Sequence, residues 1–336
     1  MNLQERINLL TQLGEYMLSD SETLAGVKER AYMENSWFLP EFIDRAAANI
    51  ANSYLQENAL IRLAESYKLP TSGGSPNFNA KKIGIVMAGN IPLVGFHDLL
   101  CVFLTGHNAF IKTSSKDNSL IKHLVNVMVS WNSEVAELIG FSEMLKGCDG
   151  YIATGSNNTA GYFDYYFGKY PNIIRRNRTS VAVLTGNEST DELSLLADDV
   201  YLYFGLGCRS VSKLYVPEGY AFASLLDIFR KYEYLADHNK YKNNYDYNLA
   251  IHVLNKKFYM SNDSLLLVED EALFSPISQL NYEFYSNQND LLTSLSGRRE
   301  LQCIMGKNFI PFGQSQFPSL TDYADGVDTV RFLTNM

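Results

Sequence analysis

From Lys82 onward, short apolar runs alternate with helical stretches, and this alternation constrains the fold more than any other feature of the chain. Ile83 to Met87, Ala109 to Lys112, Gly150 to Ala153, Ile173–Ile174 and Val181 to Leu184 have the length and content of buried strands. Between them, Leu120 to Trp131 and Ser156 to Phe167 carry helical periodicity, and the turn Ala88-Gly89-Asn90 leads into an apolar helix. Strands separated by helices pair in parallel, and a parallel sheet needs cover on both faces. The expected class is therefore α/β with mainly parallel sheets. Ligands of such sheets sit beyond the carboxyl ends of the strands. Attention falls on three turns, at Gly89-Asn90, after Lys112 and at Thr154-Gly155-Ser156.

The flanks read differently. Leu3, Ile7, Leu10, Leu13 and Met17, then Phe42, Ala46, Ile50, Tyr54 and Leu55, recur at helical spacing. Ser19 or Asp20 starts a short helix that ends near Asn35. Pro70 to Pro76 holds the turn residues of a linker. Beyond Pro217 the pattern predicts one helix over Phe222 to Tyr234, a solvated loop over His238 to Tyr247, and strands at Ser264 to Val268, Tyr282 to Tyr285 and Phe309 to Pro311. No internal repeat is present.

Composition excludes several functions. With 28 basic against 37 acidic residues in 336, the net charge of −9 disfavours a sequence-independent nucleic-acid binder. The most apolar region, Met87 to Gly106, is interrupted by Asn90, Pro92, His97 and Asp98, so no membrane span is expected. Charged residues come early in Met1 to Arg6, which argues against a signal peptide. The cysteines, Cys101, Cys148, Cys208 and Cys303, are widely spaced and form no CxxC pair. A reducing cytoplasm and no metal site are expected.

No phosphate loop, HExxH, GxSxG or GxGxxG fingerprint occurs. Four subtler segments carry chemistry. Cys208 follows Gly205-Leu206-Gly207 and precedes the strand-like run Val211 to Val216. Small neighbours admit a substrate carbonyl, and turn N–H groups can hold an oxyanion, whereas the commoner fate of a free cysteine is inert burial. Asn90 is either an oxyanion donor or a helix N-cap. Lys112, with Thr113 and Ser114, either meets a nucleotide ribose or phosphate or is a solvated strand end. Thr154-Gly155-Ser156 either cradles a pyrophosphate at a helix N-terminus or simply caps that helix. Cys101 and Cys303 read as core residues, and Cys148 is the local rival to Cys208.

In this order along the chain the four segments resemble those of the aldehyde dehydrogenase superfamily, over about Lys82 to Val216. The resemblance implies Cys208 as nucleophile, Asn90 as oxyanion donor, Lys112 and Ser114 at the adenosine ribose, and Thr154, Gly155 and Ser156 at the cofactor pyrophosphate. Gly207 to Pro217 and Gln314 to Val330 look most like the acyl-CoA reductase branch, related to the fatty-acid reductase subunit of bacterial luminescence systems. The chain is shorter than that subunit, with the shortfall expected before Lys82. Hydrolytic members carry a Glu-Leu-Gly-Gly-Lys stretch whose glutamate activates water. Here the corresponding stretch, Arg175 to Val181, holds no carboxylate, so thioester exchange replaces hydrolysis as the natural chemistry. Arg175, Arg176 and Arg178 either contact an anionic donor or form a solvated strand end.

The resemblance thus implies NAD(P)H-dependent reduction of a fatty acyl-CoA or acyl-protein thioester to an aldehyde through a Cys208 acyl-enzyme. Ser115 and Lys116, where NAD-preferring relatives often carry glutamate, point to NADPH, with NADH as the other choice. His97 and His252 are the nearest candidates for a general acid, neither preferred. The expected organisation is a helical leader (1–76), a nicotinamide-cofactor domain (77–196), a catalytic domain (197–312) and a C-terminal return segment (313–336). A homodimer and an acyl-transferring protein partner complete the expectation. Two alternatives stand beside it: a catalytically silent nucleotide- or acyl-CoA-binding scaffold, and an acyl-phosphate reductase.

Overall fold

The computed structural model describes residues 1–70 and 79–336. Most of the expected linker, Thr71 to Pro76, lies outside the described residues. The chain forms two compact units, 1–177 with 318–336 and 178–317.

The first unit opens with four helices, α1 (Leu3–Met17), α2 (Glu22–Glu34), α3 (Pro40–Ser53) and α4 (Glu57–Ser66). Asn2 and Glu5 form a capping box on α1, and Ser21 caps α2. There follow β1 (Lys82–Val86), α5 (Phe96–Thr105), β2 (Asn108–Lys112), α6 (Ser119–Trp131), α7 (Val135–Leu138), β3 (Ile139–Phe141), β4 (Gly150–Thr154), α8 (Asn157–Phe167) and β5 (Asn172–Arg175). The five strands pair in parallel in the order β3-β2-β1-β4-β5. Every residue of α5 except His97 is buried, so the most apolar stretch of the chain is a core helix. Among the described residues no helix is long and apolar enough to cross a membrane.

The second unit contains β6 (Thr179–Val183), α9 (Thr190–Tyr201), β7 (Val211–Pro217), α10 (Ala223–Phe229), α11 (Asn239–Leu254), β8 (Met260–Ser261), β9 (Leu266–Glu269), β10 (Gln279–Tyr285), α12 (Gln288–Leu295) and β11 (Leu301–Gly306). Its six-stranded sheet runs β11-β6-β7-β10-β9-β8, parallel except for β8. The chain then rejoins the first unit through α13 (Thr329–Thr334), whose Val330 and Leu333 enter the first core. The imidazoles of His97 and His107 donate to the carbonyls of Leu320 and Leu333 at 2.9 and 3.1 Å, tying this segment down.

Several expectations are corrected. The division expected at 196/197 falls at 177/178, because β6 pairs with β7 and β11 rather than with β4 or β5. The expected return segment, 313–336, likewise joins the first unit only from Pro318. His238 to Tyr247 is no loop: Tyr241, Tyr245, Asn248 and His252 form the buried stripe of α11, a helical face written in polar-looking residues. The single helix expected over Phe222 to Tyr234 is α10 followed by 3₁₀ turns with a kink at Tyr232. Phe309 to Pro311 forms no strand, and makes only one bridge, from Ile310 to Met305; the strand there is β11.

Candidate active site

In the first unit, strand order reverses between β1 and β4, which opens a crevice beyond their carboxyl ends. Val86 pairs with Lys112 on one side and with Ala153 on the other, so β1, β2 and β4 end level with one another. This register brings the turns bearing Asn90, Lys112 with Ser114, and Thr154-Gly155-Ser156 to one edge of the sheet. Asn90 is exposed and lies in the loop between β1 and α5. It does not cap that helix, whose N-cap is Gly95. Gly89 packs so closely on the next turn that a Cβ there would stand 2.5 Å from Ser114 Oγ. Leu93 closes the loop in a left-handed conformation, φ 58°. Its N–H donates to Asp117 Oδ2 at 2.7 Å, which ties the loop after β1 to the loop after β2. Asp117 Oδ1 is buried with no partner. Burial pushes this carboxyl up to about 7, against the pull of the Leu93 N–H.

Lys112 is exposed at the end of β2, and Ser114 Oγ accepts the Lys116 N–H at 3.2 Å. Ser156 caps α8, accepting the Thr159 N–H at 3.3 Å. Ser156, Asn157 and Asn158 are exposed at this helix N-terminus, where first-turn N–H groups point outward with the positive end of the dipole. Gly155 has no room for a Cβ, which would meet Phe163 at 2.9 Å. An exposed, positively polarised helix start beside a glycine at a strand's carboxyl end fits a dinucleotide pyrophosphate.

In the second unit, Cys208 occupies the turn between α9 and β7. All four cysteines lie among the described residues, and of these Cys208 alone is not buried. Burial raises the thiols of Cys101 and Cys148, which disfavours their thiolates. The chain enters the turn through Tyr203, Phe204 and Gly205, all left-handed at φ 56°, 56° and 71°. Such a conformation strains the two aromatic residues, and packing holds it. The Phe204 ring lies 4.8 Å from His238 and 5.4 Å from Tyr241. Past the bend, Ser180 Oγ donates to the Cys208 carbonyl at 3.0 Å, and Ser210 Oγ accepts the Gly207 N–H at 3.2 Å.

The remaining candidates bond or pack within the protein. His97 packs its ring against Tyr54 and Tyr323, and desolvation there holds its imidazole below the ordinary range. His252 is buried and bonds Gln279 at 2.8 Å. Arg175 is neither solvated nor available to an anionic ligand: it is buried, ion-paired with Asp98 and bonded to Thr329 at 3.0 Å. Arg176 pairs with Asp164 at 2.6 Å and Arg178 donates to the Leu301 carbonyl at 3.2 Å. Sequence reading missed Asp117 and Leu93. A non-glycine left-handed residue leaves no trace in a sequence, but an acid three residues beyond Ser114 could have marked the first.

No family model matches the sequence, and no curated protein matches it. Solved structures do. Aldehyde dehydrogenase 21 from Physcomitrella patens, solved with the reaction product succinate, is 12% identical over 92% of this chain and 74% of its own, with a TM-score of 0.65. An NAD-dependent aldehyde dehydrogenase from Sinorhizobium meliloti is 11% identical over 94% and 72%, at 0.67. An acetylating aldehyde dehydrogenase from Geobacillus thermoglucosidasius is 12% identical over 99% and 90%, at 0.63. At these identities the likeness concerns architecture: the chain has the aldehyde dehydrogenase fold.

Proposed function

We propose that the protein reduces an acyl thioester to an aldehyde through an acyl-enzyme on Cys208, with a reduced nicotinamide cofactor. The observation that carries this reading is the half-buried thiol of Cys208 on a strained, hydrogen-bonded turn, the other three thiols being buried. The likeness to an acetylating aldehyde dehydrogenase supports it. The stretch from Arg175 to Val181 holds no carboxylate, and the one that reaches Arg175, Asp98, is tied in an ion pair. A water-activating base is therefore lacking along that stretch, which favours exchange and reduction over hydrolysis.

In this reading the Cys208 thiolate adds to the thioester carbonyl and the donor thiol leaves with a proton, forming a new thioester on Cys208. Asn90 and the Cys208 N–H are the donors to the developing oxyanion. Lys112 and Ser114 hold the cofactor ribose, and Thr154, Gly155 and Ser156 its pyrophosphate; bound there, the cofactor supplies hydride. The hemithioacetal on Cys208 then takes a proton, releases aldehyde and restores the thiol. Exposed Ser115 and Lys116 carry no negative charge against a 2′-phosphate, which favours NADPH over NADH. The donor is a fatty acyl-CoA or an acyl-protein, handed over by an acyl-transferring partner in the latter case, and the protein works as a cytoplasmic homodimer.

The test is intact-mass spectrometry after incubation with medium- and long-chain acyl-CoA, with and without NADPH, for wild type and Cys208→Ala. An acyl adduct on wild type that is absent from the variant, and that NADPH discharges as aldehyde, is expected. No adduct at any chain length would remove the thioester mechanism in favour of an acyl-phosphate donor or a silent binder.

A further inference from the structure

The turn that carries Cys208 is held from its far side by a piece of chain more than a hundred residues later. Arg209, buried directly after the cysteine, donates to the carbonyl of Ser315 at 3.3 Å. Gln316 Nε2 donates to Ser210 Oγ at 3.2 Å, the same oxygen that accepts the Gly207 N–H. Both neighbours of Cys208 are thereby fixed by Ser315 and Gln316. The segment that carries those two is in turn held by Asp199, near the end of α9. Its Oδ2 accepts the Gly313 N–H at 2.7 Å and its Oδ1 the Ser315 N–H at 3.0 Å. The carboxylate is 1% exposed. Ser315 is fully buried, and its main-chain N–H is one of the two that fix the segment on Asp199.

We propose that Asp199 is the positioning residue for Cys208, acting through the 313–316 segment and Arg209, Ser210 and Gly207. The inference rests on the reading of Cys208 as nucleophile. Irregular main chain inside a protein must still find acceptors for its N–H groups. Gly313 and Ser315 present two, and a carboxylate is the one compact side chain with two oxygens and no hydrogen in the way. An amide offers one acceptor and turns a donor toward the second N–H. An alanine offers none. Keeping an acid buried is costly, and burial pushes Asp199 up to about 6 although both N–H groups pull it down. The cost is sustained at the place where two bonds set the path of the segment that clamps the thiol turn. Asp198, its neighbour, is tied to Lys231 and Tyr232 at 2.5 and 2.8 Å and makes no such contact.

The test compares wild type with Asp199→Asn, Asp199→Ala and Gln316→Ala, with Glu283→Gln as a control that breaks the Lys213 ion pair and enters none of these bonds. Two readouts are taken: the rate of Cys208 alkylation by iodoacetamide, followed by peptide mass, and kcat and KM for acyl-CoA reduction. We expect kcat to fall at least about tenfold in Asp199→Ala with KM within about twofold. Asp199→Asn, with one acceptor left, should lie between it and wild type, and Cys208 alkylation should change in the same order. Gln316→Ala should move both readouts without disturbing the buried acid, so the inference stays testable if Asp199→Ala does not fold. Glu283→Gln should move neither. Wild-type alkylation and kcat in folded Asp199→Asn and Gln316→Ala would overturn the inference. A wild type that alkylates at Cys208 but forms no acyl adduct would instead overturn the thioester reading, and the alkylation order would still decide the role of Asp199.

Discussion

The buried acid under the Asn90 loop makes a quantitative prediction about stability against pH. Asp117 sits in the folded first unit with its carboxyl raised from 3.8 to about 7, mainly by burial, with Glu34 adding to the rise. One oxygen holds the Leu93 N–H and the other has no partner. Between these two pH values the folded state binds a proton that the unfolded chain has released. Stability is therefore fully present below 3.8, falls as pH rises, and is lost by about pH 7. A span of about three pH units at about 1.4 kcal/mol each makes the penalty about 4 kcal/mol above neutrality. Asp117→Asn cannot ionise and keeps an acceptor for Leu93. Its amide nitrogen would replace the partnerless oxygen, at a pH-independent cost of about 1–3 kcal/mol.

The expected outcome is a difference in unfolding free energy, variant minus wild type, that climbs by about 4 kcal/mol between about pH 4 and pH 8, whatever its starting value. Other titrating groups are common to both proteins and cancel. The protein offers a convenient probe, because its two tryptophans, Trp37 and Trp131, both lie in the first unit with Asp117. Urea unfolding followed by tryptophan fluorescence therefore reads that unit. A flat difference would refute the claim that burial of the Asp117 charge outweighs the pull of the Leu93 N–H. A difference of the opposite slope would mean that the anion has a further donor.

Other perturbations separate structural from functional duties. Asp98→Ala strands the Arg175 guanidinium, whose Nε already lacks a partner, and should cost the first unit about 3–5 kcal/mol in the same urea assay, most of it recovered by adding Arg175→Met. In Gly89→Ala the new methyl displaces Ser114, lowering stability by about 1–3 kcal/mol, and Ser114→Gly should restore part of the loss. Ser156→Asp keeps a good N-cap on α8 but sets a negative charge where a pyrophosphate is proposed. Calorimetric titration should show NADPH affinity falling at least about tenfold with the melting temperature unchanged, whereas Ser156→Ala should lower stability by about 1 kcal/mol.

Much of this arrangement can be read from the residues because topology does the placing. Once Ile83 to Met87, Ala109 to Lys112 and Gly150 to Ala153 are taken as parallel strands, their following turns must share one edge, and Asn90, Lys112 and Ser156 are found there. What escapes such reading depends on contacts far apart in the chain. Asp117 meets Leu93 across 24 positions and Asp199 meets Gly313 across 114, and neither acid differs in local pattern from a surface charge. Arg175 misleads for the same reason: a strand-end arginine looks solvated until Asp98 and Thr329 are seen to enclose it. Helix α11 is obscured by composition, since its buried face is built from Tyr241, Tyr245, Asn248 and His252 rather than from aliphatic residues.

Asp117 and Asp199 answer the same physical demand in different units. Each supports a loop assigned a part in the chemistry, Asp117 directly through the Leu93 N–H and Asp199 through the Gly313 and Ser315 N–H groups of the segment that clamps the Cys208 turn. Leu93 and the pair Tyr203–Phe204 show how far these loops depart from regular backbone, since left-handed conformations cost such residues on the order of 1 kcal/mol each. An apolar residue at either acid position would remove the desolvation penalty and leave the N–H groups unpaired, so the loops would relax toward conformations that satisfy them with water. Protonation is milder. A carboxyl group still accepts, but through weaker bonds, because the charge that strengthens them is gone. Protonation of either acid should therefore add to the stability of its own unit while loosening the loop it supports. Taken relative to Asp199→Asn at each pH, which cancels the titration of the Cys208 thiol and of the other groups, unfolding free energy and Cys208 alkylation should change as two separate quantities as pH falls through about 6.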